Sequence, residues 1–372
     1  MENTFKITTK QVYTLFLLAS FSPLIRLASA AGARLGGAAG WVSIFISCAV
    51  YYGFTVLLSC YFKRICNNNA DLYYMYKSAF GKIIAKILVL LYALWVFALT
   101  GFYLRAFAER FAGAIMPGVP VGFFTVTLLA LIFIILSGRF QSFAILSEIF
   151  FYIILSVIAV IFAFQLSKIR PENLLPVTIY DIERIINGTL PTIGVFAYIT
   201  PMLFLFGEVG EKNPENFRKY GLYSALVLLG VNLVIFAVTA GIFGSDFTAT
   251  MTQPFLTSVK TMGVLDSLER LESVFLLLWV VTDLALIVML IYVLQRLINL
   301  LCSDAPKPAI TSIPLKTPLL CGLYIFSICL MRGANETQSL SEKVGLPLNI
   351  VLGILIPCLA LGVWRLRKAG AD

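Results

Sequence analysis

Asp283 is the residue whose type and position first suggest chemistry. It lies about ten residues into an apolar run starting near Ser273, about 15 Å deep at 1.5 Å per residue. That is close to the centre of a hydrocarbon core about 30 Å thick. An ionisable group at that depth costs about 2.5–3.5 kcal/mol on insertion scales, so it normally has a task. A carboxylate there could hold a ligand ammonium, a sodium ion or a proton. As a hydrogen-bonded acid it would equally well hold helices together. Thr282 precedes it, and Trp279 lies one turn back on the same side.

Other charges stand near apolar runs. Arg105 and Glu109 are four apart and share a helix face. They read as a snorkelling interfacial pair, or as gating charges, with Arg105 alternatively reaching Glu269 or Glu272. Arg270 belongs to the same outer group. Arg26, three residues past Pro23, could meet a ligand carboxylate or snorkel outward. Glu148, near the start of its run, reads as an inner gate or a helix contact, and Glu208 as a solvated residue. The chain has no histidine and seven scattered cysteines without a CxxC pair, so zinc sites and imidazole catalysis lack their usual ligands. The cysteines read as small buried hydrophobes. No cofactor is expected, and no nucleophile–base pair points to an enzyme.

The elements that must position these residues are membrane spans. Of 372 residues, 60% are hydrophobic and 13% charged, and the mean hydropathy is +0.93. Soluble domains carry roughly 25% charged residues, so one transmembrane domain over 1–372 is expected. About ten apolar segments reach spanning length, near 11–33, 40–62, 83–111, 121–137, 143–166, 189–206, 220–243, 273–295, 314–331 and 346–364. The polar start, Met1 to Lys10, precedes an apolar run too long for a signal peptide. The net charge of +9 is spread between the runs, which suits orientation in a bilayer rather than nucleic-acid binding. With both termini inside, lysine and arginine favour the cytoplasmic side by roughly two to one. The longest connection, Gly244 to Glu272, holds Gln253-Pro254 and a mixed stretch to Met262, read as an amphipathic surface helix or an irregular loop.

Two segments carry breakers: Ser20-Phe21-Ser22-Pro23 in the first, and Pro191, Gly194 and Thr200-Pro201 in the sixth. They are corresponding members of two five-helix halves. Paired interruptions of this kind mark a binding site between inverted repeats, although each alone fits a packing kink.

The run Leu104-Arg105-Ala106-Phe107-Ala108-Glu109-Arg110-Phe111, with Met116-Pro117, resembles the end of helix three in the spore germination permeases. These are B subunits of GerA-type germinant receptors, within the amino acid/polyamine/organocation superfamily. Arg139 with Leu146-Ser147-Glu148-Ile149 is similar to their fourth-to-fifth helix region. Asn173-Leu174-Leu175-Pro176 and Gly188-Thr189-Leu190-Pro191 resemble the lead into helix six. Leu268-Glu269-Arg270-Leu271-Glu272, Phe275 and Leu278-Trp279 resemble the start of helix eight.

The resemblance implies an all-α, LeuT-like fold of five plus five helices, with helices one and six broken. It also implies a spore inner-membrane location, a small nutrient ligand, an A-type membrane subunit and a C-type lipoprotein as partners. On that fold, Phe21, Ser22, Pro23, Phe102, Gly194, Phe196, Ala197, Tyr198, Thr282 and Asp283 would line a midplane pocket. For Arg105 and Glu109 the match favours a structural or gating role. The function implied is nutrient sensing that triggers germination through the partners. The alternative is an ion- or proton-coupled permease for an amino acid or organic cation. Phe143 to Leu166 carries no lysine of the kind some proton-coupled relatives use.

Overall fold

The computed structural model describes residues 7–64, 71–114, 118–210, 213–261, 269–302, 313–329 and 334–369. Among these, seven helical stretches are long and apolar enough to cross a membrane. They are Thr9–Phe62, Lys82–Gly113, Phe140–Lys168, Ile179–Gly207, Glu215–Phe243, Ser273–Cys302 and Ser341–Arg367. Two apolar helices, Val121–Ser137 and Lys316–Cys329, are shorter. The difference from the expected ten has a physical origin. Thr9–Phe62 is one 54-residue helical run, turned at Gly37, whose φ of +56° favours glycine. Large apolar side chains also face outward, including Ile83, Ile87 and Leu94 along a single helix. Water would penalise such a surface and lipid does not; the protein is a multi-pass, all-α membrane protein.

The first arm is α1 (Thr9–Pro23), a π turn (Leu24–Ala28) and α2 (Ser29–Gly36). Thr8 and Gln11 close a capping box at its start. Then follow α3 (Gly40–Arg64), α4 (Leu72–Phe80, capped by Asp71), α5 (Lys82–Ala114), α6 (Val121–Ser137) and α7 (Phe140–Gln165). The second half of the chain holds α8 (Ile182–Phe196), α9 (Ile199–Leu203), α10 (Pro214–Phe243), α11 (Ser245–Thr250), α12 (Pro254–Lys260) and α13 (Glu269–Cys302). It closes with α14 (Ile313–Cys329), α15 (Ala334–Leu340), α16 (Leu346–Ile350) and α17 (Ile356–Ala369), with π turns at Ser341–Gly345 and Val351–Leu355.

Helix α13 is the axis of the bundle. Ile287, Val288, Met289, Leu290 and Ile291 are all fully buried, as expected for a helix that is apolar on every side and enclosed by others. It packs along α5 and α1, while α3 packs on α10 and α8. Small residues let backbones close in: a methyl group on Gly188 would lie 2.6 Å from Ser43 Oγ and 2.9 Å from the Gly36 Cα. Ser43 uses that proximity to donate to the Ile185 carbonyl at 2.8 Å.

The two interrupted segments differ. The sixth is only lightly interrupted: α8 ends at Phe196, and Ala197-Tyr198 form a turn before α9 that keeps right-handed helical dihedrals, so Ile179–Gly207 remains one helical run. The first is not unwound as its proline suggests. Beyond Pro23 the chain stays helical and widens into a π turn, and Ser29 Oγ donates to the Ile25 carbonyl at 2.9 Å. Two further expectations change. Helix α12 is not a surface helix: Pro254, Phe255, Leu256, Ser258 and Val259 are buried, and Gln165 Nε2 reaches the Ser258 carbonyl at 3.1 Å; Met262 lies outside the described residues. Of the cysteines, Cys48 is buried, whereas Cys60, Cys302, Cys321 and Cys329 are exposed on the apolar exterior.

Candidate functional site

The site is built where α1, α5 and α13 meet. Ser22, in the last turn of α1, donates to one oxygen of Asp283. Arg110, near the end of α5, donates through Nη1 to the other. Trp279 Nε1 donates to Ser22 Oγ at 3.2 Å, and its ring lies 3.9 Å from the Arg110 guanidinium carbon. The side chains of Arg110 and Asp283 are 3% and 1% exposed, so each charge depends on the other for compensation. Thr282, beside Asp283, turns its hydroxyl back to the Trp279 carbonyl at 2.7 Å. Asp283 therefore links three helices instead of facing open space.

Next to it lies a small, partly open cavity, whose lining includes Arg26, Glu109, Arg110, Thr252, Gln253 and Thr337. Glu109 accepts from Arg105 Nε at 2.7 Å and from the Thr337 hydroxyl at 2.9 Å. The expected Arg105–Glu109 pair is thus a helix i,i+4 pair, extended to α15. Arg26 belongs to the π turn, and its guanidinium carbon lies 4.6 Å from the Phe102 ring centroid and 5.4 Å from that of Tyr103.

On the far side of Phe102 is a second, apolar cavity, lined by Trp95, Phe102, Tyr198, Phe326, Val344 and Asn349 among others. A neutral hydrogen-bond chain borders it. Trp95 Nε1 donates to Asn349 Oδ1 at 2.9 Å, Asn349 Nδ2 donates to Tyr198 at 3.1 Å, and the Tyr198 and Tyr103 hydroxyls share a 2.7 Å bond. The α8–α9 turn is pinned from behind, since Thr200 donates to the Gly353 carbonyl and Tyr92 to the Leu352 carbonyl, both within a π turn. These hydroxyls occupy carbonyls that lipid would leave bare.

Other residues expected at the pocket make packing contacts. Phe21 stacks on Phe151 at 5.9 Å and Phe196 leans on Tyr51 at 5.4 Å. A methyl group on Gly194 would lie 2.7 Å from Leu346 Cδ2, so this glycine allows close approach of α8 and α16. Ala197 sits against Gly353, and Pro23 is buried where the π turn begins. Glu148 pairs with Lys10. Glu269 and Arg270 open α13, but their side chains, with those of Glu272 and Glu208, lie outside the described set.

Sequence reasoning missed Arg110, counting it as an outer charge. It also passed over Tyr103, Asn349 and Thr337. A signal for Arg110 existed: Tyr103, Ala106, Phe107 and Arg110 recur at helical spacing on one face, and the first three are apolar or aromatic. Among the described residues, no three Cys, Asp or Glu stand together as a metal site would require.

Both ends of the bundle are tied. Near the start of α1, Lys10 pairs with Glu148, Ile7 bridges to Val209, and Arg296 Nη2 lies 3.3 Å from Asp71 Oδ2. Towards the other end, Arg34 pairs with Glu342 and donates to the Ala249 carbonyl at 3.2 Å. No curated protein matches the chain significantly. The sequence does match the spore germination protein family, the spore permeases, continuously over residues 6–335. That span takes in Ser22, Arg26, Arg110, Tyr198 and Asp283, and the chain belongs to the spore germination protein family.

Proposed function

We propose that this protein is the transporter-like membrane subunit of a spore nutrient receptor, binding a small nutrient and passing the bound state to partner subunits. The observation that carries this reading is the double position of Arg110. It lines a partly open polar cavity and also holds the Asp283–Ser22 link between α13 and α1. A ligand that interacts with Arg110 changes the balance of that link, and a receptor needs such an element sensitive to occupancy. Ser22, Phe102, Tyr198 and Asp283 border the region where the nutrient acts.

The wider frame of this reading is ten crossings in two five-helix halves, with segments one and six as counterparts. The 54-residue run Thr9–Phe62 would be about 80 Å long if straight, more than twice the hydrocarbon core, and supports two crossings. The excess of lysine and arginine near one set of loops supports both termini on the spore core side of the inner membrane. The partners in this reading are an A-type membrane subunit and a C-type lipoprotein.

The test is binding, then uptake, of standard amino acids by the purified protein in liposomes. Saturable binding, weakened in Asp283→Asn and Tyr198→Ala, with no net uptake by the lone subunit, is the expected result. Saturable uptake without partners would make the protein a permease. Undiminished binding in both variants would remove the pocket from these residues.

A further inference from the structure

Among the described residues around the polar cavity, Arg26, Arg105 and Arg110 stand against two acids, Glu109 and Asp283. Asp283 answers Arg110 and Glu109 answers Arg105, while Arg26 faces two aromatic rings. The imbalance is also visible atom by atom. Nε and Nη2 of Arg26 and Nε of Arg110 are closed to solvent and hydrogen-bond nothing. Buried guanidinium nitrogens left without acceptors are costly, and native proteins rarely keep them so. Both arginines line the same cavity, together with the hydroxyls of Thr252 and Thr337 and the amide of Gln253.

We infer that this cavity is a carboxylate site in which Arg26 is the principal contact, and that the nutrient is held there by its carboxylate. This rests on the nutrient-receptor reading above and names the part of the ligand that is recognised. A carboxylate presents two coplanar oxygens, the geometry a guanidinium fork matches with paired bonds. Glu109 on its wall is already hydrogen-bonded through both oxygens, which moderates its repulsion of an anion and leaves a partner for an ammonium group. A ligand carboxylate that reaches Arg110 Nε also shares the guanidinium that holds Asp283. Occupancy is thereby felt at Ser22 and along α1.

The experiment uses the full chain in neutral phosphatidylcholine nanodiscs, so that no anionic lipid headgroup competes. Three matched series are tested by thermal shift and tryptophan emission: amino acids, their primary carboxamides, and the amines lacking the carboxylate. Acids are expected to bind at least tenfold more tightly than their amides and amines. Arg26→Gln is expected to weaken acid binding tenfold to a hundredfold and to erase the preference for acids over amides. Arg26→Lys, which keeps the charge without the fork, is expected to fall between and serves as the test if the glutamine variant does not fold. Amides that bind as well as acids, or acid binding untouched by both Arg26 variants, would overturn the carboxylate site and leave the nutrient reading standing. Absence of binding by all three series to the wild-type protein would overturn both.

Discussion

The bends in the first and sixth segments look alike in sequence, since each combines proline with small or hydroxyl residues, yet they are fastened by opposite chemistry. At the Pro23 bend the chain stays helical, and charged side chains surround it: Asp283 and Arg110 through Ser22, and Arg26 over Phe102 and Tyr103. At the Ala197-Tyr198 turn α8 passes into α9 with helical dihedrals kept, and among the described residues the groups that hold it are neutral: Tyr103, Asn349, Thr200 and the close contact with Gly353. The difference follows from the neighbours. Segment one lies against α13, which supplies an acid, whereas segment six meets a π turn whose spare carbonyls suit hydroxyl donors.

Three substitutions test that contrast. Asp283→Asn should have the largest effect, because it leaves Arg110 buried without a counter-ion. A loss of about 3–5 kcal/mol is expected from one-sided removal of a buried pair, read by unfolding in detergent. A variant as stable as the parent would mean that Arg110 does not depend on Asp283. Gly353→Ala should act on the neutral bend alone, since the new methyl would start 2.4 Å from the Ala197 Cβ. Overpacking of this kind costs about 1–3 kcal/mol. The decisive measurement is whether Trp279 emission, a reporter of the charged bend, stays unchanged while stability falls. Lys10→Ala should have the smallest effect. Its partner Glu148 is 22% exposed and Lys10 itself 43%, so less than about 1 kcal/mol is at stake. A larger loss in a detergent melt would indicate that this end of α1 carries structural load.

Sequence made the central acid legible because a single carboxylate in an apolar run has few explanations. The all-α membrane class was legible for the same reason, from composition and run length. Arg110 was not, because beside Glu109 at a helix end it looks like any snorkelling cation; only its place on the Tyr103–Phe107 face separates it. The π turns were illegible, since a one-residue widening leaves no periodic trace over five residues. The close approach at Gly194 was illegible because a glycine that admits a neighbouring helix and one that admits a ligand look the same until the neighbour, Leu346, is in view. The exposed cysteines were misjudged because lipid makes the outside of a helix as apolar as its inside.

The guanidiniums beside α1 also decide what can leak past it. Arg110 is answered by Asp283, but Arg26 stands over two aromatic rings in a region of low dielectric, where a positive charge acts over several ångströms. A sodium ion or hydronium travelling along this seam would meet a repulsive barrier of the type by which channels exclude cations with a single arginine.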